Sequence, residues 1–319
     1  MNVLMMCPAK VATGGTESIH KFAHELNKVK GMNVKILYVG PNLNYPQPPE
    51  YAEYNIDYTI LFPDNYTGVL IFPEIWGNKV LEERYKNCIR VINWGGFDVY
   101  SWHTPLHERW LFMRDKSVLH LVQSEYAGYS LKKRGVPENR ILQLNDVLND
   151  KFFEDYEEQT RCDTILYNPA KATEFQNMFI RGAKNYGLTF RPIEGLSRVE
   201  LIQLLRTTKL YIDFGVFSGR ERIPREAAMC GCCVITSNTG AAAFYNDVAI
   251  PDKYKFELDP CNVDKIRNLV CEILEDYEGH KHDFDCYRES IINNLDSLEE
   301  QCKIIADRLL ERENENSGT

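Results

Sequence analysis

Short apolar runs alternate with helical patterns along the chain, and this alternation constrains the fold more than any other feature of the sequence. Residues 2–7 are almost entirely apolar, a glycine-rich turn follows at 13–16, and apolar side chains then recur at helical spacing over 19–26. A second apolar run occupies 34–39. Strand, helix and strand in this order form a βαβ unit, the building block of a doubly wound parallel sheet.

The same pattern starts again in the second half of the chain. Residues 149–161 are acidic and without periodicity, so they are interpreted as a linker, and a new apolar run follows at 164–167. With 319 residues, the chain is long enough for two domains of ordinary size. We predict two Rossmann-like parallel-sheet α/β domains facing a cleft, at 1–155 and 156–290, followed by a C-terminal helix and a frayed tail at 291–319.

Composition argues against several classes of protein. The chain carries 46 acidic and 37 basic side chains, a net charge of −9, which disfavours nucleic acid as a partner. Its ten cysteines form no repeated CxxC pairs and its N-terminal run lacks the basic flank of a signal peptide, so we expect reduced thiols and a cytoplasmic protein. No apolar run approaches the ~18 residues of a membrane helix, so no transmembrane segment is expected. His20 and His24 lie one helical turn apart without a third ligand, so no metal site is expected.

The most informative stretch of the sequence is 210–237. Helices predicted at 173–186 and 198–205 precede it, and the stretch itself has the pattern strand, loop, short helix, strand. Pro224 suits the first turn of the short helix because its absent N–H would be unpaired there, and Gly231 suits the end of that helix. The loop before the helix therefore lies at a helix N-terminus, where backbone N–H groups bind anions.

Three arginines reinforce the expectation of an anion site at this loop: Arg220, Arg222 and Arg225. From Arg225 onward the sequence REAAMCGCCVITSNTG resembles the donor-site signature of the family-4 retaining glycosyltransferases, which have the GT-B fold. The resemblance implies that Glu226 hydrogen-bonds the ribose hydroxyls of the donor. The first glutamate of the family pattern falls on Ser218, a departure from the family, and Glu221 lies nearby in the same loop.

Two further segments support the resemblance. Asn168–Lys171 follows the first strand of the second half, where the family holds the donor diphosphate with an arginine and a lysine, and Lys171 matches the lysine. Gly14 and Gly15 before the first helix resemble the family's Gly-Gly loop, where a Cβ would block the backbone from approaching the ligand. The implied donor-binding residues are Gly14, Gly15, Lys171, Ser218, Gly219, Arg220, Glu221, Arg222, Ile223 and Glu226. Among them, Lys171, Glu226 and Arg220 are expected to assist catalysis.

On the acceptor side, the family commonly has a catalytic histidine at the end of a strand in the first domain. The corresponding strand at 90–96 has Trp94 or Gly95 at that place, and His103 lies further along the loop. Glu74 directly follows another apolar strand. Glu74, Trp94 and His103 are therefore the candidates for the acceptor side.

The resemblance implies a retaining hexosyltransferase that moves a sugar from a nucleotide sugar of the GDP-mannose or UDP-glucose type to a glycan or glycoconjugate acceptor, in polysaccharide biosynthesis. The sequence has no Asp-x-Asp metal motif, so we expect metal-independent catalysis with the nucleotide sugar as co-substrate and no cofactor. Two alternatives remain open at this point. One is a non-catalytic or degenerate protein that only binds sugar nucleotides, and the other is a sugar-nucleotide epimerase of the same fold.

Overall fold

The chain divides into two compact units in a computed structural model that describes residues 1–41, 43–99 and 111–317. The first unit comprises 1–147 together with 296–319, and the second comprises 148–295. Each unit is described by itself below.

The first unit is built on a parallel sheet. Within the described residues its strands are β1 (Asn2–Pro8), β2 (Asn33–Val39), β3 (Tyr58–Thr59), β4 (Val69–Pro73), β5 (Ile89–Trp94), β6 (Leu119–Val122) and β7 (Ile141–Gln143). They lie in the order β3-β2-β1-β4-β5-β6-β7, and every pairing is parallel. Strand β4 is buried throughout, as a strand covered on both faces requires, and it contributes to the core of this unit.

The helices of the first unit connect these strands. Within the described residues before 148 they are α1 (Gly14–Lys28), α2 (Leu111–Arg114) and α3 (Glu125–Lys133), and 3₁₀ segments occupy Pro49–Tyr54 and Glu74–Leu81. Helix α1 begins after Thr13, whose side chain accepts from the backbone N–H of Thr16 while Thr16 bonds back to the Thr13 N–H. This reciprocal cap satisfies two backbone donors at the glycine-rich turn.

The second unit repeats the architecture with a smaller parallel sheet. Its strands are β8 (Cys162–Tyr167), β9 (Phe190–Pro192), β10 (Thr208–Asp213), β11 (Cys233–Ser237) and β12 (Lys255–Phe256), in the order β12-β11-β10-β8-β9. The helices are α4 (Glu174–Ala183), α5 (Arg198–Arg206), α6 (Arg222–Met229), α7 (Val263–Glu275), α8 (Tyr277–Lys281) and α9 (Asp285–Asp296). The predicted fold class, two parallel-sheet α/β domains, is confirmed.

The final helix, α10 (Leu298–Ser317), belongs to the first unit. It packs on α1, and Leu298, Cys302, Ile305 and Leu309 are buried. The backbone N–H of Asn145 donates to Gln301 Oε1 at 2.7 Å. The sequence pattern suggested a separate C-terminal part at 291–319, whereas the structure ends α9 at Asp296 and returns the following residues to the first unit.

Candidate functional site

Three loops of the second unit meet at the carboxyl edge of its sheet. They follow β8, β10 and β11, and ligands of parallel α/β sheets bind at this edge. The Thr173 hydroxyl donates to the carbonyl of Phe214 at 2.7 Å, and the Phe214 N–H donates to Gln176 Oε1 at 2.8 Å. The Ser237 hydroxyl donates to the carbonyl of Gly215 at 2.7 Å. Hydrogen bonds from residues that follow β8 and from the end of β11 therefore fix the loop after β10.

A buried carboxyl group fixes the start of the loop after β10. Asp213 is 3% exposed and accepts from the Tyr211 hydroxyl at 2.7 Å and from the Gly215 N–H at 3.0 Å. Burial raises the pKa of Asp213 to about 6. A Cβ on Gly215 would lie 2.9 Å from Asp213 Oδ1 and 3.1 Å from the carbonyl oxygen of Lys171. A glycine at this position therefore lets the loops after β8 and β10 approach each other closely.

Three of the predicted donor-site side chains come together above this framework. The ammonium group of Lys171 forms an ion pair with the carboxylate of Glu221, and the Ser218 hydroxyl donates to Glu221 Oε1 at 3.4 Å. The Lys171 side chain is 45% exposed, and that of Glu221 is 13% exposed. Glu226 is nearly buried on α6, which begins at Arg222 immediately after Glu221. We call Lys171, Ser218 and Glu221, together with Glu226 on the adjoining helix, the donor-edge cluster.

Two of the three loop arginines face the protein itself. The Arg220 guanidinium donates to the carbonyl of Asn246 at 2.7 Å and lies 3.6 Å from the Asp247 carboxylate, and its side chain is only 7% exposed. The buried Arg225 donates to the backbone carbonyls of Glu221 and Arg220, at 3.2 and 2.9 Å. Arg220 and Arg225 therefore stabilise the loop through contacts within the protein. From the sequence we expected Arg220 to contact the ligand.

The remaining predicted donor residues lie in two places. Gly219 is buried in the loop after β10, and Arg222 and Ile223 are half-buried in the first turn of α6. Gly14 and Gly15 begin α1 in the first unit. A Cβ on Gly15 would meet nothing closer than Thr13 Oγ1 at 4.0 Å, so packing within the protein does not require a glycine there.

Polar side chains also follow β4 and β6 of the first unit. Glu74, partly exposed, accepts from the Gly96 N–H at 3.0 Å, and burial raises the pKa of its carboxyl group to about 7. Gln123 Nε2 donates to Ser18 Oγ at 2.9 Å and to Asn93 Oδ1 at 3.4 Å. Parallel strands carry these side chains to one edge of the sheet, in the manner of the donor-edge cluster in the second unit.

Trp94, expected on the acceptor side, lies in the hydrophobic core. Its side chain is fully buried and stacks on Phe97 and Phe112, with ring centroids 5.2 and 6.1 Å apart. Its indole N–H donates to His120 Nδ1 at 3.1 Å. Alternation along β5 turns this side chain into the sheet packing, so it is not available to an acceptor. His103 lies outside the described residues.

Sequence reasoning did not single out Asp213, Gly215 or Gln123. Asp213 and Gln123 shared a usable signal, since each is a polar residue directly after a pair or more of apolar residues. Gly215 had no such signal, because its role depends on the approach of the Lys171 backbone. Among the described residues, no three His, Cys, Asp or Glu side chains are arranged to hold a metal ion. Within the same ranges, no helix combines the length and apolar character that crossing a membrane requires.

The fold of this chain is that of solved glycosyltransferases. A glycosyltransferase from Rickettsia africae matches it with a TM-score of 0.65 and 12% identity, over 98% of each chain. Anabaena Alr3699/HepE, solved in complex with UDP, matches with a TM-score of 0.66 and 10% identity, over 98% of this chain and all of that one.

Sucrose-phosphate synthase from Thermosynechococcus elongatus gives a TM-score of 0.65 and 12% identity, over 97% of this chain and 99% of that one. The sequence matches no protein-family model and no curated protein. At such low identity the likeness shows the fold alone, which is that of the GT-B class of glycosyltransferases.

Proposed function

We propose that this protein is a retaining hexosyltransferase that transfers a sugar from a nucleoside-diphosphate sugar to a hydroxyl of a glycan acceptor. The observation that carries the proposal is the donor-edge cluster, in which an exposed lysine after β8, a hydroxyl and a carboxylate in the loop after β10, and a second carboxylate on α6 lie at the ligand-binding edge of a parallel sheet. A diphosphate needs a cation and a ribose needs hydrogen-bond acceptors, and this cluster contains both.

Two residues of the cluster, Lys171 and Glu226, have direct roles in the proposal. Lys171 neutralises the diphosphate and stabilises the negative charge that develops when the glycosidic bond breaks. Glu226 accepts hydrogen bonds from the ribose hydroxyls. Because Lys171 supplies positive charge where the leaving group forms, the proposal requires no metal ion.

The donor in this proposal is a UDP-glucose or GDP-mannose type of nucleotide sugar. Anabaena HepE, which shares the fold, has been solved with UDP and with UDP-glucose, so uridine donors are the first to test. All ten cysteines are free thiols, which agrees with a cytoplasmic setting, and the proposed context is polysaccharide biosynthesis.

Lys171→Ala is expected to weaken the binding of UDP or GDP by about ten- to a hundredfold, because a charged hydrogen bond to phosphate is lost. Glu226→Gln is expected to weaken nucleotide binding as well, while inorganic pyrophosphate, which has no ribose, should bind it like the wild type. Calorimetric titration of the whole chain measures both effects, and Lys184→Ala, at an exposed lysine of the same unit, is the matched control.

Two results would count against the proposal. A folded wild type that binds neither UDP nor GDP would remove the basis for a transferase. Tight nucleotide binding without sugar transfer to any acceptor would instead favour the non-catalytic alternative, and interconversion of free sugar nucleotides would favour the epimerase.

Glu221→Gln is expected to strengthen nucleotide binding by about two- to fivefold. The Glu221 carboxylate competes with the diphosphate for Lys171, and a half-exposed ion pair contributes up to about 1 kcal/mol. The gain should vanish in Lys171→Ala/Glu221→Gln, and Glu257→Gln at an exposed site should leave the affinity unchanged. Weaker binding of UDP-glucose with unchanged binding of UDP would show that Glu221 contacts the sugar instead.

A further inference from the structure

Glu74, Gly95 and Gln123 enclose a small space at the carboxyl edge of the first unit's sheet, which we call the Gly95 notch. Each follows a different strand: Glu74 follows β4, Gly95 follows β5 and Gln123 follows β6. A Cβ on Gly95 would lie 3.4 Å from Glu74 Oε1, 3.7 Å from Glu74 Oε2 and 3.4 Å from Gln123 Oε1. Three oxygen atoms therefore surround the position that a side chain at residue 95 would occupy.

The backbone does not require a glycine at position 95. Gly95 is not among the residues with positive φ, so an alanine adopts the same conformation without strain. The contacts that such a Cβ would make, at 3.4 Å and beyond, are ordinary van der Waals contacts. What the glycine provides is space next to the three oxygens that no other described residue fills, and Gly95 is itself partly exposed.

The orientation of the notch oxygens is set by hydrogen bonds behind them. The amide nitrogen of Gln123 donates hydrogen bonds to Ser18 and Asn93, and its Oε1 therefore faces Gly95. The Glu74 carboxylate is held by the Gly96 N–H, and a carboxylate has lone pairs for further donors. A lining of acceptor oxygens recognises hydroxyl groups and repels phosphate.

We propose that the Gly95 notch binds the hydroxyl group of the sugar acceptor and that Glu74 is the positioning residue that orients it. The inference rests on the proposed transferase function and identifies where a hydroxylic acceptor binds. Burial raises the pKa of Glu74 to about 7 despite its backbone hydrogen bonds, so a further donor such as a ligand hydroxyl would stabilise the charged carboxylate.

The decisive variant is Gly95→Ala, which fills the notch and leaves the Glu74 carboxylate in place. The assay measures UDP release from UDP-glucose and GDP release from GDP-mannose by the whole chain, with and without methyl glycosides of glucose, mannose and galactose. We expect Gly95→Ala and Glu74→Gln each to raise the glycoside KM by about ten- to a hundredfold, the range for losing one hydrogen bond to a charged group. The Kd for UDP or GDP should not change in either variant.

Gly128→Ala is the matched control, because among the described residues beyond its own helix backbone the Cβ on α3 would meet only Val122 Cγ2, at an ordinary 3.7 Å. It should leave both the glycoside KM and the nucleotide Kd unchanged. Thermal unfolding of each variant verifies the fold, and Gly95→Ala is expected to melt close to the wild type.

The possible results separate this inference from the proposed function. Wild-type glycoside KM in both variants, with nucleotide binding intact, overturns the notch assignment and leaves the transferase proposal standing. A lower melting temperature of Glu74→Gln with unchanged kinetics assigns Glu74 a purely structural role and also overturns it. Nucleotide release by the wild type that no glycoside accelerates overturns hydroxyl binding at the notch. A wild type that binds neither UDP nor GDP defeats the proposed function, and the notch assignment with it.

Discussion

Gly240→Ala is expected to lower the free energy of unfolding by at least about 3 kcal/mol. Gly240 has a φ of +52°, in the left-handed region that disfavours side chains. A Cβ there would lie 1.9 Å from the backbone carbonyl oxygen of Phe217, which itself accepts from the Ala241 N–H at 2.8 Å. The Phe217 carbonyl oxygen cannot move away from this Cβ unless the loop after β10, which contains Ser218 and Glu221, moves with it.

Urea unfolding monitored by circular dichroism measures this effect, and Gly182→Ala is the matched control. Gly182 lies within α4 of the same unit, and beyond the backbone of its own helix no described residue would lie within 4 Å of a Cβ there. Alanine at position 182 is expected to raise the stability by roughly 0.5–1 kcal/mol because it restricts the unfolded chain and favours the helix. A Gly240→Ala variant as stable as the wild type would show that the close contact between the loops after β10 and β11 is not required for stability.

Acid is expected to destabilise the protein through His120. The side chain is fully buried in β6 and its Nδ1 accepts from the Trp94 indole, so the neutral ring is the form that fits. Burial, together with the positive charge of Arg140, lowers the pKa of His120 from 6.5 to about 3. The unfolded chain therefore takes up a proton below pH 6.5 that the folded chain does not bind.

The direction in which pH changes the free energy of unfolding follows from that difference in bound protons. The contribution of His120 to stability is complete above pH 6.5 and decreases by about 1.4 kcal/mol for each pH unit below it, or roughly 2 kcal/mol between pH 6.5 and 5. Urea unfolding at a series of pH values measures the slope. His120→Asn, which keeps an acceptor for Trp94, should reduce the slope; part should remain because burial also lowers the pKa of His20. Equal slopes in wild type and variant would contradict the assignment.

Several elements could be predicted from the sequence because local patterns determine them. Apolar runs and helical spacing predicted the βα alternation, and the helix expected at 198–205 is observed as Arg198–Arg206. The helix expected at 173–186 ends earlier, at Ala183, and continues as a 3₁₀ turn. Capping residues such as Thr173 and Ser197 act within one turn, so their effect is visible in the sequence.

Side-chain direction in the loops was decided by contacts that are distant in sequence. Arg220 turns toward Asp247, and Lys171 pairs with Glu221. Spacing predicted that the loop after β10 lies at a helix N-terminus, but it contained no information on which arginine faces inward. The same holds for α10, whose return to the first unit depends on buried contacts with α1.

The sequence by itself determined the fold class and the position of the loop after β10, because strand and helix periodicity and glycine and proline placement act over a few residues. The tertiary structure alone decided that Lys171 pairs with Glu221 and that Gly95 leaves a space between Glu74 and Gln123. Parallel strands bring together loops separated by tens of residues, and the geometry between such loops is not encoded in any local pattern.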